Sequence, residues 1–222
     1  MLTIPFPSTV LMMRSEKWWI DARTRSGGET INGREQVVSS GLGRWRSTVT
    51  FPLYSPATIR AMRAWLALMD GRSNMSIIGP CDCTNANQIT PLIGGIPYSD
   101  DTLHSDGAGF QQGGTPAAVS VAASAGAVQV QVDLASTALP VLAGTFIGLG
   151  GYLYVVVGVT AAPGEEALLD IRPRLRTALD VGDPVEWCHA RAPMRLMADD
   201  SGSFELQLAR FGEATLDLVE VW

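Results

Sequence analysis

Val128-Gln129-Val130-Gln131-Val132-Asp133-Leu134 alternates an aliphatic side chain with a polar one at every step. Successive side chains of a strand point to opposite faces, so this stretch reads as a β-strand with one face buried and one wet. Four further strand candidates follow it: Phe146–Leu149, Tyr152–Val159, Ala167–Ile171 and Pro184–Trp187, with glycine or proline between most of them. Five short strands at this spacing predict a small β-barrel.

The same region is almost uncharged. Residues 107–164 hold one charged side chain, Asp133, and residues 134–164 hold none. Leu139 to Val159 is apolar and long enough to raise the possibility of a membrane-spanning helix. Against that stand Pro140, Gly144, Gly148, Gly150, Gly151 and Gly158, the β-favouring Tyr154-Val155-Val156-Val157, and no flanking basic cluster to set an orientation. The stretch reads as buried strands around a turn, and no stable membrane insertion is expected.

On both sides of this region the sequence is more charged. Thr9–Met13 is expected to be a strand, and so is Arg44–Phe51 after Gly41-Leu42-Gly43; the latter is expected to carry a bulge or to bury both faces. A helix is predicted over 56–70. Ser55 is its N-cap, Pro56 its first residue, and Ile59, Met62, Trp65, Leu66 and Met69 its apolar stripe; Asp70-Gly71 stops it, and Arg60 and Arg63 lie on the other face. Asn74–Ile78 reads as a short strand. Residues 84–114 lack sustained periodicity and read as a long loop or arm, a length usually tied to interaction. After residue 190, Met194–Met197, Ser203–Leu208 and Ala214–Val221 read as an antiparallel meander, with Phe204, Leu206 and Leu208 on one face and Leu216 and Leu218 on another. This style matches the N-terminal part, so the expected organisation is a sheet domain, residues 1–112 plus 191–222, interrupted by a barrel domain, residues 113–190.

Composition bounds the function. The chain has 222 residues, 46% hydrophobic and only 17% charged, against about 25% charged in an average soluble protein. Disorder is excluded by that hydrophobic content. Fifteen of the sixteen basic residues are arginine, Lys17 being the exception, and there are six tryptophans. Arginine and tryptophan favour contact surfaces where lysine favours a solvated one, so much of the exterior is expected to be covered by other chains. The net charge of −6 conceals an asymmetry: residues 1–80 carry ten basic and five acidic side chains, and residues 81–190 carry three and eleven. The acidic total disfavours sequence-specific nucleic-acid binding. Opposite charge on two parts of one chain suits head-to-tail packing of identical subunits. The three cysteines, Cys81, Cys83 and Cys188, read as free thiols of a reducing compartment, and Met1-Leu2-Thr3-Ile4-Pro5-Phe6-Pro7 does not read as a signal peptide.

Several motifs together carry a resemblance. Gly43-Arg44-Trp45 and the capped helix closing on Leu68-Met69-Asp70-Gly71-Arg72 resemble the opening domain of tail-tip proteins of long-tailed bacteriophages. The segment from Tyr98 to Phe110 is similar to their aspartate- and glycine-rich linker. Gly150-Gly151-Tyr152-Leu153-Tyr154-Val155, the run from Ile171 to Arg176, Met194-Arg195-Leu196 and the stretch from Leu216 to Trp222 follow the same order. The family so resembled is that of distal tail proteins. What the resemblance implies is an all-β chain with one α-helix: an antiparallel β-sandwich ring domain interrupted by a small β-barrel resembling an oligonucleotide/oligosaccharide-binding fold. It also implies a virion protein of the tail tip, made in the host bacterial cytoplasm. Such a protein forms a homo-hexameric ring between the tail tube protein and the baseplate hub protein, with DNA passing only in transit.

Candidate chemistry is sparse. His104 and His189 are the two histidines. Cys188 and His189 are adjacent, so on a strand they face opposite ways. His104 with Asp100, Asp101 and Asp106 lacks calcium-loop spacing and reads as a solvated turn, and Asp199-Asp200 and Glu165-Glu166 also read as turns rather than as paired catalytic carboxylates. Gly148-Leu149-Gly150 lacks the helix a dinucleotide site requires. No catalytic residue, cofactor or metal site is assigned, and the chain is not expected to be an enzyme. The residues singled out are contact candidates: Trp18 and Trp19 as interface anchor or core edge, Arg60 and Arg63 on the helix, and Arg172, Arg174 and Arg176. Those last three are expected to pair with Asp170, Asp180 or Asp183 of the same subunit or to meet a neighbour's acidic face. The alternative function is a carbohydrate-binding module attaching the particle to the host surface, using exposed aromatics such as Tyr152 or Tyr154.

Overall fold

The computed structural model describes residues 1–29, 31–81, 117–134, 141–161, 166–187, 189–207 and 211–222. The Tyr98–Phe110 segment with its aspartates and His104, the 84–114 loop, the expected boundary at 112–113, Cys83, Cys188, Glu165 and Leu208 lie outside the described residues. In chain order the elements are β1 (Thr3–Ile4), β2 (Ser15–Asp21), β3 (Thr24–Glu29), β4 (Glu35–Ser39), β5 (Arg44–Leu53), α1 (Pro56–Met69), β6 (Met75–Ile78), β7 (Ala118–Val119) and β8 (Gln129–Asp133). They continue with β9 (Phe146–Leu149), β10 (Tyr152–Ala161), β11 (Glu166–Arg172), β12 (Val185–Glu186), β13 (Ala192–Leu196), β14 (Leu206–Gln207) and β15 (Phe211–Glu220). The fold class is all-β with one helix among the described residues. The chain divides into two compact units, Met1–Cys81 with Arg191–Trp222, and Asp82–Ala190.

The first unit is built on a seven-stranded sheet in the order β1-β6-β13-β15-β5-β2, with β14 also on β15; a second sheet is the β3–β4 hairpin. Among the described residues of this sheet only β1 and β6 run parallel. Strand β5 carries no bulge and does not bury both faces, contrary to expectation. Trp45, Ser47, Val49, Phe51 and Leu53 are all odd-numbered, share one face and are buried, while the intervening residues are half-buried. Ala214, Leu216 and Leu218 of β15 extend that inner face. The stripe of α1 meets it: Ile59, Met62, Trp65 and Met69 are buried. Phe6 packs between the layers, 5.6 Å from the Phe51 ring and edge-on to Trp65 at 5.5 Å.

The helix ends follow from their residues. The Ser55 hydroxyl accepts from the Thr58 backbone N–H, and the Thr58 hydroxyl accepts from the Ser55 N–H, both at 3.1 Å. Asp70 takes the left-handed conformation that ends the helix. Thr9–Met13 is not a strand. Pro7 turns the chain there, its carbonyl accepting from Val10 and Leu11, and Leu11 alone of that segment is buried. Of the expected Ser203–Leu208 strand, only Leu206–Gln207 is paired among the described residues.

The second unit is a six-stranded sheet in the order β12-β9-β10-β11-β8-β7. Its two ends meet: Val119 N–H donates to Asp183 O at 2.9 Å, Gly182 N–H to Val119 O at 2.8 Å and Val185 N–H to Ala117 O at 2.9 Å. The sheet thereby curls into a barrel. Val130, Val132, Ile147, Tyr154, Leu169 and Ile171 point inward and are fully buried. Leu149 pairs directly with Tyr152, leaving Gly150 and Gly151 as a two-residue loop with φ of 55° and 82°. A hairpin loop of this length twists correctly only with positive φ, which is why two glycines stand there. The uncharged 134–164 stretch thus contains strands, and no described helix is long and apolar enough to cross a membrane.

Candidate functional site

The contact candidates occupy separate places. Trp18 and Trp19 lie on β2, the edge strand of the seven-stranded sheet. Register puts Trp18 opposite Ser47 on the helix-covered face and Trp19 opposite Arg46 on the outer face. Trp18 donates its indole N–H to Glu16 at 2.9 Å, and the Lys17 ammonium lies 5.3 Å from the Trp19 ring centroid. Both indoles are half-buried. Arg60 and Arg63 are exposed on α1. Arg172 ends β11 and is exposed, as is Arg174 just after it, while Arg176 is half-buried. Asp170 accepts from the Gln129 amide at 2.8 Å, and Asp183 accepts from the Asp180 N–H at 2.9 Å. Arg172 donates to the Ile171 carbonyl.

Tyr154 is not an exposed aromatic. Its ring is fully buried in the barrel core, and its hydroxyl accepts from the Arg176 N–H at 2.8 Å. Tyr152 packs against the same core. The glycan-stacking role assigned to these rings therefore has no free face at Tyr154.

Asp199 and Asp200 sit in a turn, as expected, with Ser201 N–H returning to Ala198 O. They line an open cleft of about 430 Å³ together with Arg63, Leu66, Gly71 and Phe204. Arg72 donates to Asp199 through its backbone N–H and its Nε, at 3.3 and 3.1 Å, so this carboxylate is spent on holding the turn to the end of α1. Among the described residues no three His, Cys, Asp or Glu side chains converge as metal ligands would.

Two features that sequence reading did not single out are the most distinctive on the surface. The first is the β3–β4 hairpin, in which every described residue is exposed. Val37 and Val38 stand open on it, and Ile31 is fully exposed at its tip. An isolated two-stranded hairpin is marginally stable in water, so this arm has no core of its own. The second is an arginine cluster on the outer face of the seven-stranded sheet. Register aligns Arg195 of β13, Val219 of β15, Arg46 of β5 and Trp19 of β2 in one row across four strands, with Arg44 and Asp21 in the next. Arg46 pairs with Asp21 at 2.7 Å. The Nε atoms of Arg44, Arg46 and Arg195 are buried and make no hydrogen bond. Burial, then Arg23 and Arg46, lower the Arg44 pKa from its ordinary value; Asp21 partly offsets them and Arg195 adds to the lowering. The sequence signal was Arg44-Trp45-Arg46, which strand alternation sends to one face. Arg195, far away in sequence, joins it only through the sheet order.

No protein-family model matches this chain, and no curated protein is significantly similar to it.

Proposed function

We propose that this chain is a structural subunit of a phage tail tip, assembling into a ring between the tail tube and the baseplate hub, and that it acts by binding rather than by catalysis. The observation that carries the reading is the β3–β4 arm. A hairpin whose every described side chain is exposed, with Ile31, Val37 and Val38 among them, suits a chain that completes its surface against neighbours. The scarcity of lysine and the half-buried Trp18 and Trp19 on an edge strand support the same reading. The distal-tail resemblance of the sequence supplies the particular assembly: six copies, tube protein on one side, hub protein on the other, DNA passing through the collar, and a place at the virion's tail tip. Arg60 and Arg63, exposed on the helix, and Arg172 and Arg174, exposed at and after the end of β11, are contact candidates within it. The alternative, a carbohydrate-binding module, loses its expected aromatic handle at Tyr154.

Native mass measurement of the purified chain, with negative-stain images, tests the proposal. A closed ring is expected, either of the chain alone or on adding tube or hub protein. A chain that stays monomeric with both partners overturns it, and glycan binding under those conditions gives the protein to the alternative.

A further inference from the structure

The row Arg195–Val219–Arg46 sets an outward-facing aliphatic residue between two arginines about 10 Å apart, two strand spacings. Val219 faces outward yet is only 4% exposed, which fits arginine stems lying over it. Charge of one sign gathers here: Arg23, Arg46 and Arg195 each act on Arg44, while the acids on this face are Asp21, paired with Arg46, and Asp217, held by the Thr48 hydroxyl. Three guanidinium Nε atoms are taken out of water without a hydrogen bond. Each such donor costs free energy, and like charges held together cost more unless opposite charge is brought to them.

The barrel unit carries the complementary pattern. Glu166, Leu168 and Asp170 alternate with the buried Ala167, Leu169 and Ile171 on β11, so they share the outer face of the barrel with the exposed Arg172 at the strand's end, the two carboxylates lying about 13 Å apart along the strand. Both accept from neutral amides, Glu166 from Gln131 and Asp170 from Gln129. An acid–aliphatic–acid row thus matches a basic–aliphatic–basic row in sign, and in spacing to within the reach of the side chains.

We infer that the arginine face around Val219 is a docking surface for the Glu166–Leu168–Asp170 face of the barrel unit of a second copy of this chain. This rests on the assembly reading above and names its contact. The carboxylates are the chemistry these guanidinium groups bind best, and Trp19 at the end of the row supplies the aromatic edge common at such anchors.

Charge reversal separates the outcomes. One variant reverses the sheet face, Arg44→Glu with Arg195→Glu, leaving the Arg46–Asp21 pair in place. The other reverses the barrel face, Glu166→Lys with Asp170→Lys. Sedimentation of the full chain, alone and with tube protein, is expected to show self-association at least about tenfold weaker for each variant by itself. A 1:1 mixture of the two is expected to return to within about threefold of wild type, because opposite charges again meet between copies. The neutral pair Arg44→Gln with Arg195→Gln, with wild-type circular dichroism, is expected to weaken association by less, which separates a lost contact from a misfolded chain. Wild-type association that neither variant changes overturns the inference and leaves the ring standing, whereas a wild-type chain that never associates overturns both. Rescue in a chain bearing all four reversals, without rescue on mixing, places the contact inside one chain and overturns it. Unchanged self-association with lost duplex-DNA binding in the arginine variant gives the face to phosphate instead.

Discussion

Tyr154 brings a phenol hydroxyl into a barrel core that is otherwise aliphatic and aromatic, and the group is tolerated there because it accepts the Arg176 N–H. Tyr154→Phe leaves that backbone donor without its acceptor, and urea unfolding is expected to show the barrel less stable by about 1–2 kcal/mol. The sequence misleads at this position for a physical reason. Leu153 and Tyr154 are neighbours and both are fully buried, so alternation fails where β10 is covered on both faces. The same limit applies to the arginine cluster. Alternation puts Arg44 and Arg46 on one face of β5, but no local pattern brings Arg195 beside them.

Among the elements, α1 was legible almost to the residue, because Ser55, Pro56 and Asp70-Gly71 each act through local backbone chemistry. Its stability should divide accordingly. Ser55→Ala removes the cap, with an expected loss of about 1 kcal/mol in chemical denaturation. Met62→Ala opens the layer between helix and sheet and is expected to cost about 2–5 kcal/mol in the same assay. Strands β9, β10 and β11 were legible from apolar runs punctuated by glycine and proline. By contrast β2 was hidden, since Trp18 and Trp19 are adjacent and each is half-buried on its own face. The β3–β4 hairpin was hidden because a strand exposed on both faces carries no alternation to read. Replacing residues 24–39 by a short glycine-containing turn is expected to leave the melting temperature within a few degrees of wild type, because no core contact is lost. Native mass measurement of that variant is expected to show assembly lost.

At the scale of the whole molecule, the division of charge matters more than the net value. An excess of base in residues 1–80 and of acid in residues 81–190 predicts salt-sensitive association. Raising NaCl from about 0.05 to about 0.5 M is expected to shift sedimenting material toward monomer, since the Debye length falls below the reach of a side chain. The interrupted organisation was visible as a change in composition and its return. The order of strands was not, and it has a consequence for synthesis. β13 and β15 stand in the middle of the seven-stranded sheet, with β6 and β1 on one side and β5 and β2 on the other. During translation the flanking strands therefore leave the ribosome long before the strands that join them, and the barrel, contiguous in sequence, emerges complete in between. The flanks must wait with their hydrogen-bonding edges open while roughly a hundred residues are made, several seconds at ordinary rates of elongation. A chain truncated after residue 190 should thus hold a folded barrel and an N-terminal segment whose β5 and β6 edges stay open and protease-sensitive.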